Sequence, residues 1–251
     1  VPSTFAPYSQ KAKRLGISGC LHMEVDVEPT QINQETDLVT ELMADPTSIL
    51  CGAISAARPE SIKFGQFFET AKHNKTIKGF RRVLHTEKDD LSQSKTFRDN
   101  IKLLSNTSLT FDLCILPHQL PLAADLVDYC PHVTFILDHC GVPDIKGGNL
   151  SLWKKDISAL AKRPNVIAKI SGIIAYGDLK LWGLDCIRPY FDHTVASFGH
   201  NRIIWGSDSP VCNLGGGLET WVAATHALTA DWALDQRHAF YKGNAKSIWT
   251  V

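Results

Sequence analysis

At 251 residues, with 26 basic and 26 acidic side chains and a formal charge of zero, the chain gives no reason to expect nucleic acid or an anionic membrane surface as a partner. Its 44% hydrophobic content is ordinary for a globular protein, and no apolar run approaches the roughly 20 residues of a membrane span. No signal peptide stands at the start as given. The seven cysteines form no Cys-x-x-Cys pair, and most sit in or beside apolar runs. They read as buried free thiols of a reducing compartment, which points to the cytoplasm.

The chain begins with a helix pattern over 4–16, ending in a glycine suited to a C-terminal cap. Strand patterns then fall at 19–25, 49–56, 77–84, 109–116, 132–139, 165–173 and 201–208. Between them, 34–44, 60–72 and 95–105 carry apolar residues at helical spacing. A further helix over 151–164 is expected to start at a capping Ser151 and stop before Pro164. The strand starts recur about every 30 residues, the length of one strand plus a crossover helix. Several strands are almost continuously apolar, as strands covered on both faces should be.

Seven such units in a single domain over 1–251 predict an α/β fold, a (β/α)8 TIM barrel with one strand fewer than closure needs. Because the chain opens on a helix pattern, the remaining strand is expected to precede Val1. The rival is a doubly wound open sheet, which lacks support because no strand is followed by Gly-x-Gly-x-x-Gly.

In a barrel the working residues sit at the C-terminal ends of the strands. Those ends carry His22 and Glu24, whose spacing puts both on one side of a strand. They also carry Arg81 and Arg82, one of which must point away from the lumen. Further on come His118, the pair Asp138-His139, then Lys169 with Ser171, and Asp208. Plain structural roles compete: a satisfied core histidine for His22, an ion pair for Glu24 or the arginines, a loop position for His118, backbone orientation for Asp138. The remaining histidines, His85 among them, read as surface or packing residues. His139 and Asp208 stand apart. Each finishes an apolar strand, where an unpartnered polar group is costly, so the two are expected to face one polar site. Gly-Ser-Asp-Ser-Pro is not a nucleophile elbow, which argues against a serine hydrolase.

The stretches ILDHCGVPDI, PNVIAKISG, FG-x-x-RIIWGSDSPVC and KGNAKSIW, with KGFRRVL and FDLCILPHQLP, resemble the amidohydrolase-related lactonase branch of the amidohydrolase superfamily. The nearest motifs are those of L-fuconolactonase-like and 2-pyrone-4,6-dicarboxylate lactonase-like enzymes. The resemblance runs from about Lys78 to Trp249 in family order, and more loosely back to Gly16. It implies a barrel that opens a small lactone, with Asp208 as general base and His139 on the substrate carbonyl or carboxylate. Arg81 would bind a substrate anion. His22, His118 and Ser171 are further candidate substrate contacts from their places at the strand ends; relatives often carry another residue at His118, and His22 and Glu24 sit at a variable position where substrate choice is set. The family's strand-one His-x-His is not in this sequence and is expected upstream of Val1. The usual Trp after Gly-Ser-Asp is Ser209 here, which widens the pocket or makes it more polar.

Two cofactor expectations stay open: none, as in some relatives of the branch, or a divalent zinc held by His139, Asp208 and Glu24. The partner is a small-molecule lactone, and a homo-oligomer is compatible with the sequence. Two rival functions remain. One is a metal-dependent decarboxylase or C–C hydrolase of the same superfamily. The other is a non-catalytic barrel that binds a sugar acid or a protein.

Overall fold

A computed structural model describes residues 4–179 and 181–250. All seven expected strands form, each within its expected run but shorter. They are β1 (Cys20–Met23), β2 (Leu50–Ala56), β3 (Ile77–Val83), β4 (Thr110–Cys114), β5 (Thr134–Leu137), β6 (Val166–Ser171) and β7 (Ile203–Gly206). They are parallel and hydrogen-bonded in chain order from β1 to β7. A doubly wound sheet would reverse its order at a switch point. This one does not, and curls as a barrel sheet does.

Helices α1 (Phe5–Arg14), α2 (Ile32–Met43), α3 (Phe64–Ala71), α4 (Lys95–Ile101), α5 (Leu120–Tyr129), α6 (Leu150–Leu160), α7 (Leu184–Phe198) and α8 (Gly217–Leu228) alternate with the strands. Two short helices, α9 (Leu234–His238) and α10 (Asn244–Trp249), end the described chain. α1 stops as expected, with Gly16 at φ +81° just past its end. α6 departs from expectation: it starts one residue before Ser151, and its N-cap is Asn149 without a side-chain bond. α1 leans towards the β7 side of the sheet, with Lys11 paired to Glu219 on α8 and Tyr8 Oη 3.3 Å from Ser207 Oγ.

Strand alternation builds two apolar layers. On β4, Phe111 and Leu113 face outwards under the helices, where Phe111 meets Phe97 and Phe135 edge-on. The inward side of the curl holds a separate apolar group, Ile54, Ile136, Ile204 and Trp249. Trp249 comes from the last turn of α10, and its Nε1–H donates to Thr110 Oγ1 at 3.1 Å. It closes the lower end of the lumen. The working end is therefore the other one, at the C-terminal ends of the strands.

The seven cysteines are free. Among the described residues no helix is long and apolar enough to cross a membrane.

Candidate active site

Two strands hand over to the site through left-handed backbone. After β5, His139, Cys140 and Val142 have φ of 51°, 55° and 48°, with Gly141 at 70° between them. The indole N–H of Trp153 holds this turn by donating to Cys140 O at 2.9 Å. Two residues after β7, Asp208 has φ 52°. Non-glycine residues rarely adopt this region, and such positions concentrate at functional sites.

The two turns bring their side chains together. His139 Nδ1 lies 2.8 Å from Ser171 Oγ, at the end of β6, and 3.6 Å from Asp208 Oδ2. Asp208 Oδ2 is buried and makes no hydrogen bond among the described residues. Burial raises the Asp208 carboxyl above its ordinary range; Asp138 adds to this, while His139, Arg81 and Lys169 oppose it. Tyr176 packs edge-on to His139 with ring centroids 6.3 Å apart. Its phenol is pushed up by burial and by the charge of Asp208.

Below this group lies a layer of buried charge. Lys169 Nζ donates to Asp112 Oδ2 at 2.6 Å and to Asp138 Oδ1 at 2.5 Å. Arg81 donates from Nη1 to Asp138 Oδ2 (3.1 Å), from Nε to Glu24 Oε1 (2.6 Å) and from Nη2 to Glu24 O (2.6 Å). Two cations thus face three acids, all buried. One negative charge is left over, and burying it without a partner is expensive. Asp138, held by both cations, stays well below the usual carboxylate range although burial opposes this. Asp112 takes the excess: burial raises it to about 7 against the pull of Lys169, with Asp138 adding to the rise.

Above both layers, a groove of about 720 Å³ opens along the strand ends, lined among others by Leu116, Pro117, Val142, Lys146 and Tyr176. Tyr176 is common to the groove and the His139 group.

The amidohydrolase family profile matches residues 5–251. The chain belongs to the amidohydrolase family. As a member of this family of hydrolases, it is 25% identical over 249 residues to protein y4mH of Sinorhizobium fredii, covering 96% of this chain and 83% of that one. It is 31% identical over 132 residues to L-fucono-1,5-lactonase of Burkholderia ambifaria, covering 51% of this chain and 44% of the lactonase. The chain thus matches less than half the length of that curated relative. Among solved structures, an amidohydrolase of Burkholderia multivorans superposes with a TM-score of 0.90 over 99% of this chain and 89% of its own. Sequence identity is 19% to its form with bound HEPES and 20% to its form with bound zinc. A 2-pyrone-4,6-dicarboxylic acid hydrolase from Pseudomonas putida gives 0.75 at 18% identity, covering 99% of this chain and 88% of its own. These likenesses show the amidohydrolase (β/α)8-barrel fold.

In this amidohydrolase the sequence-expected residues divide. His139, Asp208 and Ser171 come together. Arg81 faces the lumen but is held by Glu24 and Asp138, not presented as an open fork for a substrate anion. Arg82 points the other way and pairs with Glu60 and Glu87, each at 3.0 Å. His22 and Glu24 do not share a face: β1 ends at Met23, so His22 stays on the strand and turns towards α2, 3.0 Å from Glu35 Oε1, while Glu24 folds in to Arg81. His118 is exposed and lies 3.3 Å from Asp89. Asp138, a strand-end candidate with backbone orientation as its plain alternative, is an ion-pair partner of Arg81 and Lys169.

The donor set does not meet the zinc expectation. Among the described residues no group of three His, Cys, Asp or Glu side chains is placed to hold a metal ion. His139 and Asp208 supply two donors, and Glu24 is committed to Arg81. The described set therefore falls short of the three protein ligands of a catalytic zinc site.

Sequence reasoning passed over Asp112 and Tyr176 and set His85 aside as a surface or packing residue. For Asp112 a signal exists: one acid at an inward position of the otherwise apolar run TFDLC. Tyr176 lies in the loop after β6, where no periodicity marks it.

Proposed function

We propose that this amidohydrolase opens a small lactone ring with water activated by Asp208. The carrying observation is the buried Oδ2 of Asp208, without a hydrogen bond among the described residues and 3.6 Å from His139. An ionised acceptor in that state is poised to take a proton. The lactonase named among the relatives supports the reaction class.

In the proposed reaction, a water in the upper lumen gives a proton to Asp208 as its oxygen adds to the lactone carbonyl carbon. His139, oriented through Nδ1 by Ser171, faces the oxyanion that forms. The ring C–O bond then breaks. The departing alkoxide takes the proton back from Asp208, leaving an open hydroxy acid.

Arg81 bears on the substrate class. Its charge is neutralised by Glu24 and Asp138, so the lumen offers no open guanidinium fork for a carboxylate. This favours an uncharged, hydroxylated lactone over a dicarboxylate one. The test is hydrolysis of L-fucono-1,5-lactone, followed by proton release, for wild type and Asp208→Asn. Turnover by wild type and its loss in the variant are expected. Normal turnover by Asp208→Asn would sink the role given to this carboxylate, and carbon dioxide release from a carboxylated aromatic acid would favour a decarboxylase.

A further inference from the structure

Next to the site, a second histidine rests on a thiol. His85 follows β3 by two residues and Cys114 ends β4, so both lie at the working end of the barrel. The backbone N–H groups of Leu84 and His85 both donate to Cys114 O, at 3.0 and 3.1 Å, which fixes the two residues side by side. His85 Nδ1 is 3.2 Å from Cys114 Sγ. The thiol is buried, while the ring reaches the surface.

The protonation states decide which atom donates. Burial, with the charge of Asp138, pushes the Cys114 thiol up to about 12, so the sulfur keeps its proton. Burial together with Arg81 and His139 holds His85 below its ordinary value, against the opposing Asp26 and Asp138. The ring is therefore neutral at pH 7. A neutral imidazole has one N–H and one bare nitrogen, and the bare nitrogen accepts far better than a sulfur does. The S–H accordingly donates to Nδ1, and the ring's own proton sits on Nε2.

We propose that His85 is a substrate-binding hydrogen-bond donor of this site and that Cys114 is the positioning residue that keeps the His85 proton on Nε2. The inference rests on the lactonase reading and deepens it. A neutral N–H donor suits a hydroxyl or carbonyl oxygen of an uncharged ring and adds no charge that would select a carboxylate. Cys114 alternates with Thr110 and Asp112 on β4 and so lies on their side of the strand, opposite the outward Phe111 and Leu113; a ring resting on its sulfur stands at the mouth of the lumen.

The experiment pairs a spectrum with kinetics. In long-range ¹H–¹⁵N spectra of the labelled protein at pH 7.5, His85 is expected as the Nε2–H tautomer, shifting to a mixture in Cys114→Ala. With L-fucono-1,5-lactone as probe, His85→Ala is expected to raise KM about tenfold, with kcat changed much less, as for loss of one hydrogen bond. His85→Gln, whose amide nitrogen overlays Nε2, is expected to recover most of that loss, and His85→Asn, which mimics Nδ1, is not. An Nδ1–H tautomer in wild type, or an unchanged KM in His85→Ala, would overturn the proposal. If wild type opens no lactone, the lactonase reading falls, and the tautomer alone decides whether Cys114 orients His85.

Discussion

Gly172 and Asp208 touch at a point where no side chain fits. A Cβ on Gly172 would lie 2.4 Å from Cβ of Asp208 and 2.5 Å from its Oδ2, and Gly172 itself has φ +58°. The glycine that follows β6 thus defines the wall against which the proposed base is held. It also explains why the pattern Ser-Gly ends β6: Ser171 turns to His139, and the next residue must leave room for Asp208.

Gly172→Ala should therefore damage the site more than the fold. The left-handed conformation and the forced contact together are expected to cost about 1–3 kcal/mol. Asp208 must move, so kcat should fall by a larger factor than that loss of stability implies. Thermal melting and lactone kinetics on the same preparation check this. A stable variant with unchanged kcat would show that Asp208 tolerates displacement.

Asp208→Asn should reduce lactone hydrolysis by roughly 10²–10⁴-fold, the usual worth of a positioned general base, while the protein stays folded. The pH profile carries the sign. A base works when ionised, and burial raises this carboxyl. The acid limb of kcat should thus lie above the ordinary carboxylate range, with activity rising as pH rises through it. A limb at the ordinary value would assign the titration to another group.

Asp112 makes stability depend on pH in the opposite sense to most acids. Its folded value of about 7 is above the unfolded one. Between roughly pH 4 and 7 the folded chain keeps a proton that the unfolded chain has lost. Its contribution is therefore complete below the unfolded value and disappears as pH climbs through about 7. Asp112→Asn, which needs no proton, should flatten the decline in Tm between pH 5 and 8. Parallel curves for wild type and variant would place the excess charge elsewhere.

Lys169→Met should be far more harmful than loss of a surface cation. It leaves Asp112 and Asp138 buried without their common partner, and breaking such a pair costs about 3–5 kcal/mol. Lys95→Ala, at an exposed pair with Asp99, should leave Tm unchanged. Denaturant melts of the two variants make the comparison. Near-equal stability would mean that the charged layer repacks.

The strands were legible because both of their faces are covered. Runs such as TFDLC and VIAKIS are apolar enough to locate without knowing what they pack against. The helices at 120–129, 184–198 and 217–228 were not marked out, and α7 carries a proline in its interior at Pro189. For the site, His139 and Asp208 could be picked out because an ionisable group that ends an apolar strand needs a reason. His22 and Glu24 could not be assigned by parity, since parity holds only while the strand lasts and β1 ends between them. His85 reads as a surface or packing residue because its environment comes from a neighbouring strand that is distant in sequence.

Trp249 bears on how the charged layer comes into being. The strands that carry Arg81, Asp112, Asp138 and Lys169 leave the ribosome long before the indole that lies beneath them and bonds to Thr110. Until residue 249 arrives, Ile54, Ile136 and Ile204 lack the indole that packs against them at the lower end of the lumen, which leaves that end open to water. The desolvation that lifts Asp112 and shapes the charges around Asp208 is then incomplete. Synthesis from the N-terminal side thus lays Trp249 beneath the strands only after all seven have been made, and the electrostatic character of the upper rim matures once this indole has docked.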